Sequence, residues 1–191
     1  LVEGRDYIGS LEEELRLADQ QLGGTLAERD ELIVRQEQQA RSLERLTQLE
    51  KLFQPSEASV VREGRSIVLR LSGLQFASGS SVLNDASIQL LKKVAQAVVL
   101  YPDSVILVEG HTDASGPKGL NARLSEDRAN TVMRYMIGDM RIEPWRLTAI
   151  GHGSNRPITL NSSAAGRAEN RRIDLVITPT PEASRNLDRI N

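Results

Sequence analysis

The sequence predicts an α/β fold: a two-layer sandwich of the βαβαβ type, in which a mixed four-stranded sheet carries helices on one face. A helical, coiled-coil-like segment is predicted to precede it. Strand-like runs of β-branched residues alternate with helical periodicities from residue 66 onward. An apolar spacing of seven residues runs through the first 53 residues, whereas all seven prolines lie after them. The 191 residues suffice for one ordinary domain and an appendage.

The composition excludes several classes of protein. Apolar residues make up 39% and charged residues 26%, as in soluble folded chains. The net charge of −2 provides no basic field for nucleic acid, and the absence of cysteine excludes disulfides, thiolate metal sites and thiol nucleophiles. No apolar run approaches the roughly 18 residues of a transmembrane helix. The chain starts at Leu1 without a basic-then-apolar leader, so we expect a fragment whose targeting segment, if any, has been removed.

The first 53 residues are acidic and helical. They hold 7 Lys and Arg against 12 Asp and Glu, whereas residues 54–191 hold 17 against 14. Capping-box patterns begin at Ser10 and Thr25, and the pair Gly23-Gly24 between them is a natural helix stop. We therefore predict helices over 10–22 and 25–52. One long helix, weakened by about 1 kcal/mol per glycine, is the alternative.

The spacing of seven defines an imperfect coiled-coil seam. Its positions are Leu11, Ala18, Thr25, Leu32, Gln39, Leu46 and Phe53, with a companion series at Leu15, Leu22, Arg29, Gln36, Leu43 and Glu50. Apolar residues dominate both ends and polar residues the middle. Residues 1–53 are predicted to be a spacer or an oligomerisation segment, with a homo-oligomer formed through residues 10–53. The alternative is a helix that packs on its own globular domain. Residues 54–64 are predicted to be a linker.

Residues 65–178 are predicted to form the α/β domain, and residues 179–191 a polar tail. The strands are expected over 66–71, 104–110, 147–151 and 172–177, and the helices over 85–100 and 121–137. Residues 104–110 are almost continuously apolar, which predicts a central strand. Residues 172–177 alternate polar and apolar, which predicts a strand with one wetter face.

Catalytic signals are weak. His111 and His152 each lie beside a glycine at a strand end, and Asp113 is the only third ligand nearby in sequence for a zinc site. We expect structural roles for both histidines and no metal. The glycine-containing loops match neither a nucleophile elbow nor a dinucleotide or Walker loop. Aromatic residues make up 3%, too few for a stacking platform for single-stranded nucleic acid. The sequence thus predicts neither an enzyme nor a cofactor.

One constellation suggests ligand binding. A strand ends at Gly110, a Gly/Ser loop containing Asp113 follows, and a helix carrying Arg128 is predicted to begin near Asn121. Ligands of open α/β sheets bind at such strand ends. Asp113 and Arg128 would suit a ligand that has both an ammonium and a carboxylate.

The alternative is a structural role for both residues. Asp113 would cap the helix, and Arg128 would pair with Glu126 or Asp127 on a solvated face. Spacing alone leaves both interpretations open.

Four motifs in order decide between them. They are His111-Thr112-Asp113, Asn121-x-x-Leu124-Ser125-x-x-Arg128-Ala129, Gly151-x-Gly153-x-x-x-Pro157 and Gly166-Arg167-x-x-Asn170-Arg171-Arg172. Together with a phenylalanine-bearing loop at Phe76, this pattern resembles the OmpA-like peptidoglycan-binding domain, a family that includes the OmpA C-terminal domain, the peptidoglycan-associated lipoprotein and MotB. The resemblance covers residues 65–178. The chain departs from the family pattern in lacking an acid just after Phe76 and in having Leu120 where an aromatic is common.

The resemblance implies a non-catalytic domain that binds the diaminopimelate group of the peptidoglycan stem peptide. The matching residues for its two ends are Asp113 and Arg128. Further contacts are implied for Thr112, Leu120, Asn121, Arg171, Arg172, Gly79 and Ser81.

The implied partners are peptidoglycan and, through a segment outside this sequence, a membrane. The implied location is the periplasm of a Gram-negative cell, in association with the outer membrane or cell envelope. A wall tether, the wall-anchoring part of an inner-membrane motor-stator or secretion-machine subunit, and an interaction protein that has lost the ligand remain open.

Overall fold

The computed structural model describes residues 3–180, and in the first helix the side chains at 13, 16–18, 20, 21 and from 23 onward. The seam positions Leu11, Leu15 and Leu22 and the predicted tail beyond residue 180 lie outside this description. The chain divides into two units, residues 1–47 and residues 48–191. In the described part, no helix is long and apolar enough to cross a membrane.

The first helix, α1, is continuous from Glu3 to Leu52. The prediction of two helices was wrong, and the alternative of one long helix is observed. Gly23 and Gly24 lie in its interior with open space where a side chain would project. Helix propagation adds one hydrogen bond per residue, so helical turns on both sides carry the chain through the two glycines at their modest cost.

In the first unit, most of the described seam positions are exposed to solvent, whereas Leu46 is half-buried. Ala18, Thr25, Leu32 and Gln39 are all exposed, with Leu32 at 61%. Exposed ion pairs form between residues one helical turn apart, such as Glu31 and Arg35 at 2.8 Å. Such pairs contribute only about 0.2–0.5 kcal/mol each to a helix. Over residues 13–43 the described apolar side chains of this helix are therefore exposed.

The second unit contains the rest of the secondary structure. In chain order its elements are β1 (Ser59–Glu63), β2 (Ser66–Leu71), α2 (Asp85–Val99), β3 (Ser104–Gly110), α3 (Lys118–Gly138), a 3-10 turn (Pro144–Arg146), β4 (Leu147–Gly151), α4 (Ala164–Asn170) and β5 (Ile173–Pro179). The end of α1 also belongs to this unit, since Leu49 is completely buried and Phe53 is 9% exposed in its core.

The sheet is mixed, as predicted, but it has five strands in the described residues rather than four. Their order is β1-β2-β5-β3-β4, with β3 and β4 parallel and the other neighbours antiparallel. The added strand, β1, lies inside the predicted linker 54–64. It is an edge strand joined to β2 by a two-residue turn in which Gly64 has a φ of +60°. A strand of five residues that is paired on one side has too short a sequence pattern to be identified from local signals.

One apolar core joins α2, α3 and one face of the sheet. Its buried members include Leu91 and Val94 of α2, Val132 of α3, Val108 of β3 and Leu175 of β5. Residues two apart in a strand face the same side, so this face collects the apolar half of each strand. The helices follow the predicted periodicity, and β3 occupies the predicted interior position between β5 and β4.

The opposite face of β5 differs from the prediction of a wetter face. Asp174 lies there but is only 3% exposed. Its carboxylate accepts two hydrogen bonds from Nε of Arg172, at 3.0 and 3.1 Å. A buried charge is tolerated when it is paired in this way. The alternation of residue types therefore identified the strand correctly but misjudged the exposure of its polar side.

Candidate ligand-binding groove

An open groove of about 820 Å³ lies at the end of the sheet where β3 ends. Its walls are the loop after β2, the loop between β3 and α3, and the first turns of α3. Seven of the nine predicted site residues line it: Gly79, Thr112, Asp113, Leu120, Asn121, Arg128 and Arg171. Ser81 and Arg172 are not among its lining residues.

Two glycines set the position of α3 against the sheet. Gly110 and Gly151 are partners in the parallel pairing of β3 with β4. A Cβ on Gly110 would overlap the backbone carbonyl of Ser125, and one on Gly151 would overlap the backbone nitrogen of Glu126. The hydroxyl of Ser125 donates to the carbonyl of Ala122 and accepts from the backbone N–H of Gly153, both at 2.8 Å. This close approach places Arg128, one turn further along α3, in the wall of the groove.

Arg128 is a buried cation at one side of the groove. Only 5% of the residue is exposed. Its Nε donates to the carbonyl of Ser80 at 2.9 Å, its Nη2 donates to that of Ala77 at 3.3 Å, and its guanidinium lies 4.9 Å from the centre of the Phe76 ring. Burial and the charge of Arg171 lower the pKa of Arg128 from its usual value.

No carboxylate among the described residues lies within 4.0 Å of the Arg128 guanidinium. The alternative in which Arg128 pairs with Glu126 or Asp127 is therefore excluded. The described residues supply carbonyl oxygens to this cation but no carboxylate in direct contact with it. Such an arrangement favours an external anion.

Asp113 lies in the loop after β3 and is 8% exposed. Its Oδ2 accepts from Nη1 of Arg171 at 2.7 Å, and its Oδ1 accepts from the backbone N–H of Ser115 at 2.8 Å. Burial would raise the pKa of Asp113, but the hydrogen bonds from Arg171 and Ser115 outweigh it, and the pKa lies below its usual value. Asp113 does not cap α3, whose N-cap is Pro117 without a side-chain bond.

The remaining predicted residues have distinct places. Asn121 is buried and donates to the carbonyls of Asp113 and Ser115, at 3.3 and 3.1 Å, so it holds the loop. The Thr112 backbone N–H donates to the carbonyl of Gly153 at 2.9 Å. Leu120 is 63% exposed at the rim, and Gly79 has a φ of +67°, a conformation that favours glycine.

Arg172 lies outside the lining of the groove. It is 5% exposed and is engaged with Asp174, whereas the adjacent Arg171 reaches Asp113. Arg171 and Arg172 thus bind different carboxylates, although they are adjacent in sequence. Arg172 lines a separate, smaller cavity instead.

Sequence reasoning missed other lining residues. They include Ser115, Pro117, Arg123 and Asp127. Arg123 and Asp127 lie three and seven residues after Leu120 on α3, spacings that place them on one helical face. This periodicity, counted from Leu120, was the signal that could have identified them.

The two histidines belong to a buried polar cluster beside the groove. Their rings stack at 5.1 Å between centroids. His152 lies 2.8 Å from Oε1 of Glu109, and Nε2 of His111 lies 3.5 Å from Oδ2 of Asp174. The third group near His111 is therefore not the Asp113 that the sequence suggested.

Glu109, His111 and Asp174 have potential ligand atoms within 4.8 Å of one another. Both carboxylates are already engaged, however, because Glu109 binds Arg156 and Asp174 binds Arg172. Bound guanidinium groups compete with a divalent cation for the same oxygens. We assign this cluster to structural ion pairing.

The comparisons with known proteins point to one family. The sequence model of the OmpA family matches residues 75–171. The chain is 36% identical over 122 residues to the protein named Probable lipoprotein YiaD of Escherichia coli. The matched region covers 63% of this chain and 55% of that relative. The chain thus spans about half the length of that relative.

Two solved structures are also similar. A MotB-like protein from Desulfovibrio vulgaris has a TM-score of 0.66 at 28% identity, covering 76% of this chain and 93% of that one. The cell wall anchor of the T6SS from Pseudomonas aeruginosa has a TM-score of 0.61 at 27% identity, covering 69% of this chain and 97% of that one. None of these three proteins is named as an enzyme, in agreement with the predicted non-catalytic domain. Since the family match extends over half of the sequence and includes the groove, the chain belongs to the OmpA family.

Proposed function

We propose that the domain binds peptidoglycan non-covalently through the diaminopimelate of the stem peptide and so tethers an envelope membrane or complex to the wall. One observation carries the proposal: the groove holds a buried guanidinium, Arg128, with no carboxylate partner among the described residues, and a carboxylate, Asp113, in the same walls. Diaminopimelate ends in an ammonium and a carboxylate on one carbon. Arg128 would bind the carboxylate and Asp113 the ammonium.

The ion pair between Arg171 and Asp113 supports a two-step fit. Arg171 is 47% exposed at its side chain, so it can move aside or share Asp113 with an incoming ammonium at little cost. Arg128, by contrast, is held by two carbonyls and an aromatic ring. We therefore assign pre-organised recognition to Arg128 and adjustable recognition to Asp113 with Arg171. A single stem is expected to bind with micromolar affinity.

The test is calorimetric titration with the tripeptide L-Ala–γ-D-Glu–meso-diaminopimelate. Arg128→Ala and Asp113→Asn are each expected to weaken binding about 10- to 100-fold, because a charge-assisted hydrogen bond contributes about 1.5–3 kcal/mol. Arg134→Ala, on the exposed face of the same helix, and Asp139→Asn are the matched controls and should bind like the wild type. Circular dichroism checks that each variant is folded.

A second peptide sharpens the assignment of roles. Lysine in place of diaminopimelate removes one carboxylate and keeps the ammonium. The wild type should bind the lysine peptide as weakly as Arg128→Ala binds the diaminopimelate peptide. The affinity of Arg128→Ala should be the same for both peptides. Equal wild-type affinity for both peptides, or absence of binding to the diaminopimelate peptide and to purified sacculi, would refute the proposal.

A second candidate is the wall-anchoring periplasmic part of an inner-membrane motor-stator or secretion-machine subunit. The similarity to a MotB-like protein and to a T6SS cell wall anchor favours it. The groove would have the same ligand in both cases. The sequence before residue 1 separates them: a lipobox cysteine or a barrel favours an outer-membrane tether, and a single transmembrane helix with an ionisable residue favours the machine subunit.

We also propose that residues 10–53 associate two or more copies of the chain. Leu32 is 61% exposed on the seam, and covering it requires a partner helix. Joining several domains would raise wall affinity through avidity. Sedimentation equilibrium should show an oligomer that Leu32→Asp dissociates, whereas Val34→Asp, an exposed apolar position off the seam, should not. A wild-type chain that is monomeric at high concentration contradicts the proposal.

A further inference from the structure

A second cavity, of about 210 Å³, lies beside the groove and shares Phe76, Arg128 and Arg171 with its lining. We call it the arginine pocket. Arg172 and His111, which do not line the groove, complete its polar wall. Its volume equals that of roughly seven molecules of liquid water, which is enough for a carboxylate group and its contacts.

The charged residues that line the arginine pocket are all arginines. Three guanidinium groups line it, and none of its described lining residues is acidic. Arg171 and Arg172 have their carboxylates, Asp113 and Asp174, outside that lining. The hydrogen bonds of Arg128 to described residues go to carbonyl oxygens alone. Like charges gathered around one partly enclosed space favour occupation by an anion.

Unused hydrogen-bonding groups are found in the same wall. Nη1 of Arg172 and both ring nitrogens of His111 are buried without a hydrogen-bond partner among the described residues. Both residues are at least nine-tenths buried. A buried donor without a partner costs about 1–3 kcal/mol, which a bound acceptor recovers. The neutral imidazole of His111 has one N–H to donate.

We propose that the arginine pocket is a binding site for a small oxyanion of the carboxylate class. The carboxylate is either a second carboxylate of the peptide bound in the groove or a free anion. Guanidinium groups recognise both through the same planar contacts. The site shares Arg128 and Arg171 with the groove, but Arg172 and His111 extend it beyond the contacts proposed for diaminopimelate, since they do not line the groove.

The test is titration of the whole chain with sodium acetate in place of sodium chloride at constant ionic strength, followed by ¹H–¹⁵N NMR. Saturable shifts are expected at the amides of Gln75 and Arg172, with a rise in the pKa of His111 as the anion binds. Shifts that are absent, or that grow linearly without saturation, overturn the proposal. The titration needs no wall ligand, so its result is independent of peptide binding.

Gln75→Glu is the decisive variant. Residue 75 is exposed and lines the pocket, so the change places a carboxylate there without altering side-chain shape. Acetate affinity should fall at least tenfold, whereas Gln96→Glu, on the exposed side of α2, should leave it unchanged. Ala168→Glu, at another exposed lining position, is a second variant with the same expected loss. Unchanged affinity in both pocket variants refutes the assignment.

A final titration identifies the source of the anion. If the stem tripeptide supplies the carboxylate, acetate should cause no shift once the protein is saturated with tripeptide. If the anion is free, acetate should still titrate the tripeptide-bound protein. Both results support the arginine pocket as a carboxylate site, and they assign it to different ligands.

Discussion

Replacing Gly110 with alanine is expected to lower the free energy of unfolding by about 3 kcal/mol and to abolish peptide binding. The added Cβ would overlap the carbonyl oxygen of Ser125 and lie 2.8 Å from its carbonyl carbon. Both are backbone atoms of α3, so no side-chain rotation can relieve the contact. The helix would have to move away from β3, and Arg128 would move with it.

Urea denaturation followed by circular dichroism measures this loss. Gly138→Ala is the matched control, because it lies at the end of the same helix with nothing within 4 Å of the added Cβ. That change should raise stability by about 0.4–1 kcal/mol, since alanine restricts the unfolded chain. Gly151→Ala should resemble Gly110→Ala, because its Cβ would lie 2.7 Å from the α-carbon of Glu126. If Gly110→Ala were as stable as wild type, the proposed close packing of α3 on β3 would be wrong.

The second large effect is a loss of stability on acidification that originates at His111. Burial, together with the charges of Arg172, His152, Arg156 and Arg70, lowers the pKa of His111 to about 3. Asp174 lies 3.5 Å away, but its carboxylate is already paired with Arg172. The folded protein therefore keeps this imidazole neutral at pH values where the unfolded chain takes up a proton.

The direction follows from the lowered pKa. The stability that depends on a neutral His111 is complete above the pKa of 6.5 in the unfolded chain. It is lost as the pH falls toward the pKa of about 3 in the folded protein. Each pH unit in that window costs about 1.4 kcal/mol, so the free energy of unfolding should fall by about 2 kcal/mol between pH 8 and pH 5. The lowered pKa of Asp113 adds a loss of the same sign only at more acidic pH, where its carboxylate protonates.

His111→Gln isolates the effect, because glutamine occupies a similar volume and does not titrate. Urea denaturation at a series of pH values should show a slope for the wild type that the variant lacks. NMR titration of the histidine rings gives the same answer directly, as His111 should remain neutral down to the lowest pH at which the protein is folded. A His111 that titrates near its ordinary value would contradict this account.

Sequence periodicity predicted those elements whose signal is local. The apolar residues of α2 recur at helical spacing, and β2, β3 and β4 occur at the predicted residues. In contrast, β1 and α4 were missed. β1 acquires its structure by pairing with β2, and α4 is a helix of seven residues whose cap is the side chain of Ser163. Neither has a periodic pattern long enough to identify without its tertiary partner.

The candidate site divides in the same way. The order of the motifs predicted that Asp113 and Arg128 lie at one end of the sheet, and both line one groove in the structure. The motifs did not distinguish Arg171 from Arg172, which are adjacent in sequence and differ completely in surroundings. Arg171 reaches Asp113, 58 residues earlier, whereas Arg172 reaches Asp174, two residues later.

The sequence by itself thus determined the family, most strands and helices of the second unit, and two oppositely charged residues of the groove, Asp113 and Arg128, because each depends on spacing along the chain. Only the tertiary structure decided which arginine pairs with which acid, that the helix is continuous through Gly23 and Gly24, and that Asp174 is buried. Those outcomes depend on which distant atoms come together. Burial then sets the charge state and the hydrogen-bond partners, and spacing carries no information about either.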